Sequence, residues 1–143
     1  MDYQKYAKEL LDYLIIGERI GYIIQGNISE IAKGELAVLI YLIDENNGAN
    51  ARNISQRFDI NTSRVAAILN TLSKKGYIER KSDASDKRKI CVYITEKGRK
   101  YAEERRQCIL EHVCHMLEEL GEEDAKEHIR IMKKISNLCL DIA

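Results

Sequence analysis

The chain has no proline, no tryptophan, one phenylalanine and only eight glycines among 143 residues. So few turn-formers argue against a loop-rich or all-β chain and suit a mostly helical one. No apolar run approaches the roughly 18 residues that a membrane-spanning helix needs. The four cysteines, Cys91, Cys108, Cys114 and Cys139, show no paired CxxC spacing, which argues against a zinc ribbon. There is no glycine-rich phosphate loop, no nucleophile elbow and no HExxH, so neither an enzyme nor a cofactor is expected. The opening stretch, MDYQKYAKELLDYL, mixes acids and lysines in an amphipathic pattern unlike a signal peptide. A cytoplasmic protein with reduced thiols is the expectation. Repeats and low-complexity linkers are also missing, which leaves a single domain over 1–143.

Net charge is missing too, because 23 Lys and Arg cancel 23 Asp and Glu. The cancellation is not local. From Asn50 to Lys100 there are thirteen Lys and Arg against five Asp and Glu, a net of +8, and the remainder carries −8. A solvated surface with no partner does not explain such segregation. A polyanion-binding module joined to an acidic body does.

Within that basic third, apolar spacing predicts a short helix over Asn53 to Phe58, a corner at Asp59-Ile60-Asn61, and a second helix from Thr62 to about Lys75 that Gly76 stops. Two strand-like runs follow, Tyr77 to Lys81 and Lys89 to Thr95, joined by a polar loop. Ile90, Val92 and Ile94 fall on one face of the second run, with Cys91 and Tyr93 on the other. Helix, corner, helix and hairpin is the order of a winged helix-turn-helix. Ile54, Phe58, Ile60, Val65, Ile68, Leu69 and Leu72 are its expected core.

Around this lobe, a first helix is expected over Tyr3 to Ile23, broken at Gly26-Asn27. A second runs from Gly34 to Glu45 and is apolar enough to be the central buried one. Asn46-Asn47-Gly48 ends it, with a left-handed residue near Gly48, and Ala49 to Arg52 is a candidate short strand. After the hairpin, Thr95 caps a helix running to about Leu120, striped by Ala102, Ile109, Val113, Met116, Leu117 and Leu120. Gly121 breaks it. Glu122-Glu123-Asp124 then places acids at the positive end of a last helix, striped by Ala125, Ile129, Met132, Ile135, Leu138 and Ile142. The fold class is therefore mainly α with a small β-hairpin wing, and the N- and C-terminal helices (about 1–24 and 100–143) form a dimerisation layer around a lobe at about 34–99.

Asn61 at the N-cap of the second helix of the motif puts Thr62, Ser63, Arg64 and Ala67 where a recognition helix meets base edges in a major groove. Arg64 suits guanine in bidentate fashion, or a phosphate. Ser55, Gln56, Arg57 and Asn70 are candidates for backbone contacts that set register. In the wing, Lys87, Arg88 and Lys89 form a run of three cations, and an arginine gains from the potential of a narrow minor groove. Asp86 is placed to orient the Arg88 guanidinium by a charge-assisted bond.

Cys108, His112 and His115 share one side of a helix, continued by Glu119, and such ligands can bind zinc. One helix rarely supplies four converging ligands, so the assignment is no metal, with these residues as weak candidates and a half-polar packing flank as the plainer reading. Cys91, on the outer face of its strand, reads as an inert thiol.

On these residues the chain resembles the MarR (multiple antibiotic resistance regulator) family of bacterial transcription factors over essentially its full length. Asp83-Ala84-Ser85-Asp86-Lys87-Arg88 leading into Ile94-Thr95-Glu96-Lys97-Gly98 is similar to the family's wing and the helix start that follows it. Gly34 to Leu39 and Leu72 to Ile78 match as well. Three positions depart. Ala84 stands at the wing proline, Ala32-Lys33 at a usual Thr-Pro, and Ala66-Ala67 where a polar pair, often Ser-Arg, is common. The resemblance implies an obligate homodimer binding double-stranded DNA at a pseudo-palindromic operator. It also implies a repressor released by a small-molecule effector, in a cleft near Tyr13, Arg19 and Tyr22. Peroxide-sensing relatives use a cysteine near the N-terminus, which this chain lacks. The expected function is a sequence-specific DNA-binding transcriptional regulator. The alternatives are a metal- or thiol-responsive regulator of the same fold, or a winged-helix protein-interaction module without DNA binding.

Overall fold

The computed structural model describes the backbone of residues 1–20 and 34–142 and the side chains of 1–14 and 34–140. Among the described residues there are six helices and one two-stranded sheet: α1 Tyr3–Ile20, α2 Glu35–Asp44, α3 Ala51–Phe58, α4 Thr62–Lys74, β1 Ile78–Ser82, β2 Ile90–Ile94, α5 Glu96–Leu120 and α6 Glu122–Ile142. The chain forms two compact units, Met1–Gln107 and Cys108–Ala143. No helix among the described residues is long and apolar enough to cross a membrane. The expected end of the first helix at Ile23 and the break at Gly26-Asn27 lie outside the described residues.

In the first unit the core is built around α2. Leu36, Ala37, Val38, Leu39 and Leu42 are all buried, consistent with the expected central helix. Gly34 is its N-cap and offers no side-chain bond, as the absence of Thr-Pro before it implied. Gly48 takes a positive φ of 114°, which lets the chain turn back at once towards β2. Its amide donates to the Val92 carbonyl at 2.9 Å, and the Val92 amide donates to Ala49 at 2.8 Å. The expected strand over Ala49 to Arg52 is thus reduced to a single bridge, Ala49 to Val92. The reason is the next residue. Asn50 and Asn53 each accept from the other's backbone amide, at 2.8 and 3.0 Å, a reciprocal cap that starts α3 two residues earlier than expected and is worth about 1 kcal/mol.

The hairpin is antiparallel, with Ile78 opposite Ile94, Arg80 opposite Val92 and Ser82 opposite Ile90. Val92 is buried as expected, but Ile90 remains 53% exposed because it pairs at the far end of the strand, beyond the core. Phe58 and Ile60 are only half-buried, while Ile54, Val65, Ile68, Leu69 and Leu72 form the interior of the motif.

The start of α5 explains the Thr95-Glu96-Lys97-Gly98 motif. The Thr95 hydroxyl accepts from the Gly98 amide at 3.0 Å and donates to the Gly76 carbonyl at 2.7 Å. A Cβ on Gly98 would lie 2.2 Å from the Tyr77 carbonyl oxygen. Only glycine fits where the helix crosses the backbone leading into β1. The Tyr77 and Tyr101 rings stack beside this crossing, with centroids 4.6 Å apart.

In the second unit, α6 begins with Glu122, Glu123 and Asp124 in its first turn. Its apolar stripe is uncovered, with Ile129, Met132, Ile135 and Leu138 all exposed.

Candidate nucleic-acid interface

The helix-turn-helix corner is fixed by local hydrogen bonds. Asp59 is left-handed (φ 51°), the Ile60 amide donates to the Ser55 carbonyl at 3.2 Å, and the Ser55 hydroxyl donates to the Ile60 carbonyl at 2.6 Å. Asn61 then caps α4 through the Arg64 amide at 2.8 Å, as the sequence suggested. Val65, Ile68, Leu69 and Leu72 turn inward at helical spacing. Thr62, Ser63, Arg64, Ala66, Ala67 and Asn70 are therefore exposed on the other side.

The structure gives several expected contact residues an intramolecular partner. Ser55 closes the corner, so its hydroxyl proton is occupied. Arg57 grips Glu45 with Nε to Oε2 at 2.9 Å and Nη2 to Oε1 at 3.4 Å, its guanidinium 5.3 Å from the Phe58 ring centroid. That carboxylate raises the pKa of Arg57 further. A phosphate contact there would share the guanidinium with Glu45, which occupies two of its five donors. Gln56 is exposed. Lys75, just past α4, is held by Glu35 at 3.0 Å, which raises its pKa.

Asn70 has a partner that sequence reasoning missed. Arg80 of β1 donates from Nη2 to Asn70 Oδ1 at 2.8 Å. A guanidinium can only donate, so it fixes the amide with Oδ1 towards the wing and Nδ2 turned away. The signal was available in principle. Arg80 shares a strand face with Ile78 and Ser82 and lies opposite Val92, which makes it a cation on the strand face that meets α4. Behind this pair is a cleft of about 170 Å³ lined by Ala51, Ala66, Leu69, Asn70, Arg80, Ile90 and Val92.

At the wing tip, Asp83 Oδ1 accepts from the Ser85 amide at 3.0 Å and hydroxyl at 2.9 Å. These bonds hold the Asp83 carboxyl below its ordinary value of 3.8. Asp86 repeats the pattern, with Oδ1 accepting from the Arg88 amide at 3.0 Å. Its expected bond to the Arg88 guanidinium is therefore corrected to a bond to the backbone, because an aspartate carboxylate reaches the amide two residues on within a single turn. Two such turns in succession shape the tip around Ala84, and Lys87, Arg88 and Lys89 stay exposed.

Other expected residues lie elsewhere. Tyr13 is exposed on α1; the Arg19 side chain and Tyr22 lie outside the described residues. In the second unit, His112 Nδ1 sits 2.7 Å from the Cys108 carbonyl oxygen and 3.8 Å from its Sγ. Among the described residues, no group of three or more His, Cys, Asp or Glu side chains is placed to hold a metal ion, His115 included.

The profile of the winged helix DNA-binding domain family matches residues 35–114 of this chain. The helix-turn-helix transcriptional regulator YwhA of Bacillus subtilis (strain 168) is 22% identical over 138 residues, covering 95% of this chain and 99% of that protein. Among solved structures, Streptococcus pneumoniae FabT in complex with DNA superposes with a TM-score of 0.72 at 20% identity, covering 99% of this chain and 100% of that one. A MarR transcriptional regulator from Methanosarcina mazei Go1 superposes with a TM-score of 0.66 at 23% identity, covering 97% and 99%. The chain belongs to the winged helix DNA-binding domain family. Its fold is that of these two solved structures, and its wing and helix-start motifs resemble those of the MarR type.

Proposed function

We propose that this protein is a cytoplasmic homodimeric repressor, a single MarR-like domain that binds a pseudo-palindromic operator in double-stranded DNA and leaves it when a small-molecule effector binds. The observation that carries the reading is the exposed face shared by α4 and the wing, set in the segment with a net charge of +8. Thr62, Ser63, Arg64 and Ala67 enter the major groove. Gln56 and Asn70 are phosphate-side contacts, and Arg88 enters the adjacent minor groove with Lys87 and Lys89 along the backbone. Arg64 and Arg88 are exposed, with no side-chain hydrogen bond or ion pair among the described residues, so their charge is available to a polyanion.

Homodimerisation is supported by the exposed apolar residues of α1 and α6. Tyr3, Tyr6, Leu10 and Leu14 on one, and Ile129, Met132, Ile135 and Leu138 on the other, are stripes that water does not favour. FabT, solved with DNA, supports the duplex as partner. Selection of duplexes by the full chain from a randomised pool tests the reading. It should enrich a two-fold motif with half-sites about one helical turn apart. Failure to enrich any duplex overturns it.

A further inference from the structure

We propose that α4 reads thymine through its 5-methyl group, with Ala66 and Ala67 as the specificity-determining residues. The proposal rests on the duplex-binding reading above and names what that duplex presents.

The exposed face of α4 is short of hydrogen-bonding groups at its middle. Inward-facing Val65, Ile68, Leu69 and Leu72 leave Ser63, Ala67 and Asn70 as the outermost line, with Ala66 on the flank nearest the wing. Two neighbouring polar groups already have partners. The Thr71 hydroxyl donates back to the Ala67 carbonyl at 3.0 Å, and Asn70 Oδ1 accepts from Arg80. Between Arg64 and Asn70 the helix therefore offers a base edge nothing but methyl groups.

Ala66 is also continuous with an apolar wall. The cleft beside it is lined by Ala51, Leu69, Ile90 and Val92 as well as the Asn70–Arg80 pair. A small apolar group brought against Ala66 and Ala67 leaves water for a surface that holds water poorly. In a major groove the group that fits is the C5-methyl of thymine, which no other base carries, and alanine is a side chain suited to meet it. Asn70, its Oδ1 held by Arg80, keeps its amide nitrogen to donate to a phosphate oxygen beside that pair.

The test uses the full chain and duplexes selected from a randomised pool. Each thymine of the selected site is replaced singly by deoxyuridine, which removes the methyl and leaves every hydrogen-bonding group in place. One or two positions per half-site should weaken about fourfold per methyl. That loss should largely vanish in Ala67→Gly or Ala66→Gly, with helix content checked by circular dichroism. Ala67→Ser, which keeps the helix better, should reduce it too. Uridine tolerated at every position of a site that is still bound specifically overturns the proposal and leaves DNA binding intact. A loss that persists unchanged in all three variants assigns the methyl contact to other residues and also overturns it. A chain that enriches no duplex removes this proposal together with its parent reading.

Discussion

The winged lobe and the helix α6 use their apolar residues in opposite ways. In the lobe, α2, α3, α4 and β2 supply an interior in which Leu36, Leu39, Leu42, Ile54, Leu72, Val65 and Val92 are fully buried within one chain. In α6 an equally regular stripe remains exposed, with Leu138 at 55%. The lobe has a core of its own, whereas α6 has an amphipathic face that a single chain does not cover. Polar chemistry divides the same way. The ion pairs of α6, Glu122 with Lys126 and Glu127 with Arg130, are local to one helix. In the first unit three pairs join separate elements, Arg57 to Glu45, Lys75 to Glu35 and Arg106 to Asp44, beside one long pair within β1, Lys81 to Glu79 at 3.9 Å. The contrast teaches that one region closes its apolar surface within a single chain while the other leaves an apolar face uncovered.

The largest effect should come from charging the uncovered face. Ile135→Asp combined with Leu138→Asp places two carboxylates where a dimer would bury them, at a cost of several kcal/mol. Sedimentation should show a monomer whose lobe keeps its thermal transition. A dimer of unchanged affinity would mean that this stripe has no partner in solution.

A smaller effect, confined to the lobe, is expected from Gly98→Ala. The added Cβ meets the Tyr77 carbonyl oxygen, so α5 or the strand entry must shift, costing about 3 kcal/mol in chemical denaturation. Unchanged stability would show that this close approach is not rigid.

Next come the cations of the exposed face. Arg64→Ala should cost ~1–3 kcal/mol mainly on a selected site if it reads a base; an equal loss on random duplex would assign it to phosphate. Arg88→Ala should weaken binding to both and lower the salt slope by about one unit. An unchanged slope would remove the wing from the interface.

The smallest effect is a titration. Because Ser85 hydrogen bonds lower the Asp83 pKa in the folded state, that carboxylate favours the folded wing above its unfolded pKa, and the contribution is lost as pH falls through the folded value. The Ser85 amide resonance should therefore titrate with a midpoint below 3.8, and Ser85→Ala should bring the Asp83 midpoint back up. A midpoint at or above the ordinary value would contradict the turn.

Much of this architecture was legible from periodicity. The central helix, the inward residues of α4, the Asn61 cap and the Thr95 cap all follow from local spacing and local hydrogen bonds, which a sequence displays directly. The start of α3 is also legible, since Asn50 and Asn53 stand three apart like a capping pair. The partners of the candidate contact residues are not. Arg57 meets Glu45 and Arg80 meets Asn70 only because helices and a strand bring residues twelve and ten apart together. Asp86 shows a different failure. Charge complementarity pointed to a guanidinium, while the geometry of a tight turn favoured the nearer amide.

The central claim is that the cations of the lobe's exposed face engage a polyanion, and the salt dependence of duplex affinity tests it most directly. Titrating a selected duplex with the full chain between about 50 and 200 mM salt should give log K falling linearly with log salt, with a slope of about −0.9 for each phosphate neutralised. A slope of several units is the predicted result. A flat line, or no binding at the lowest salt, would contradict the account.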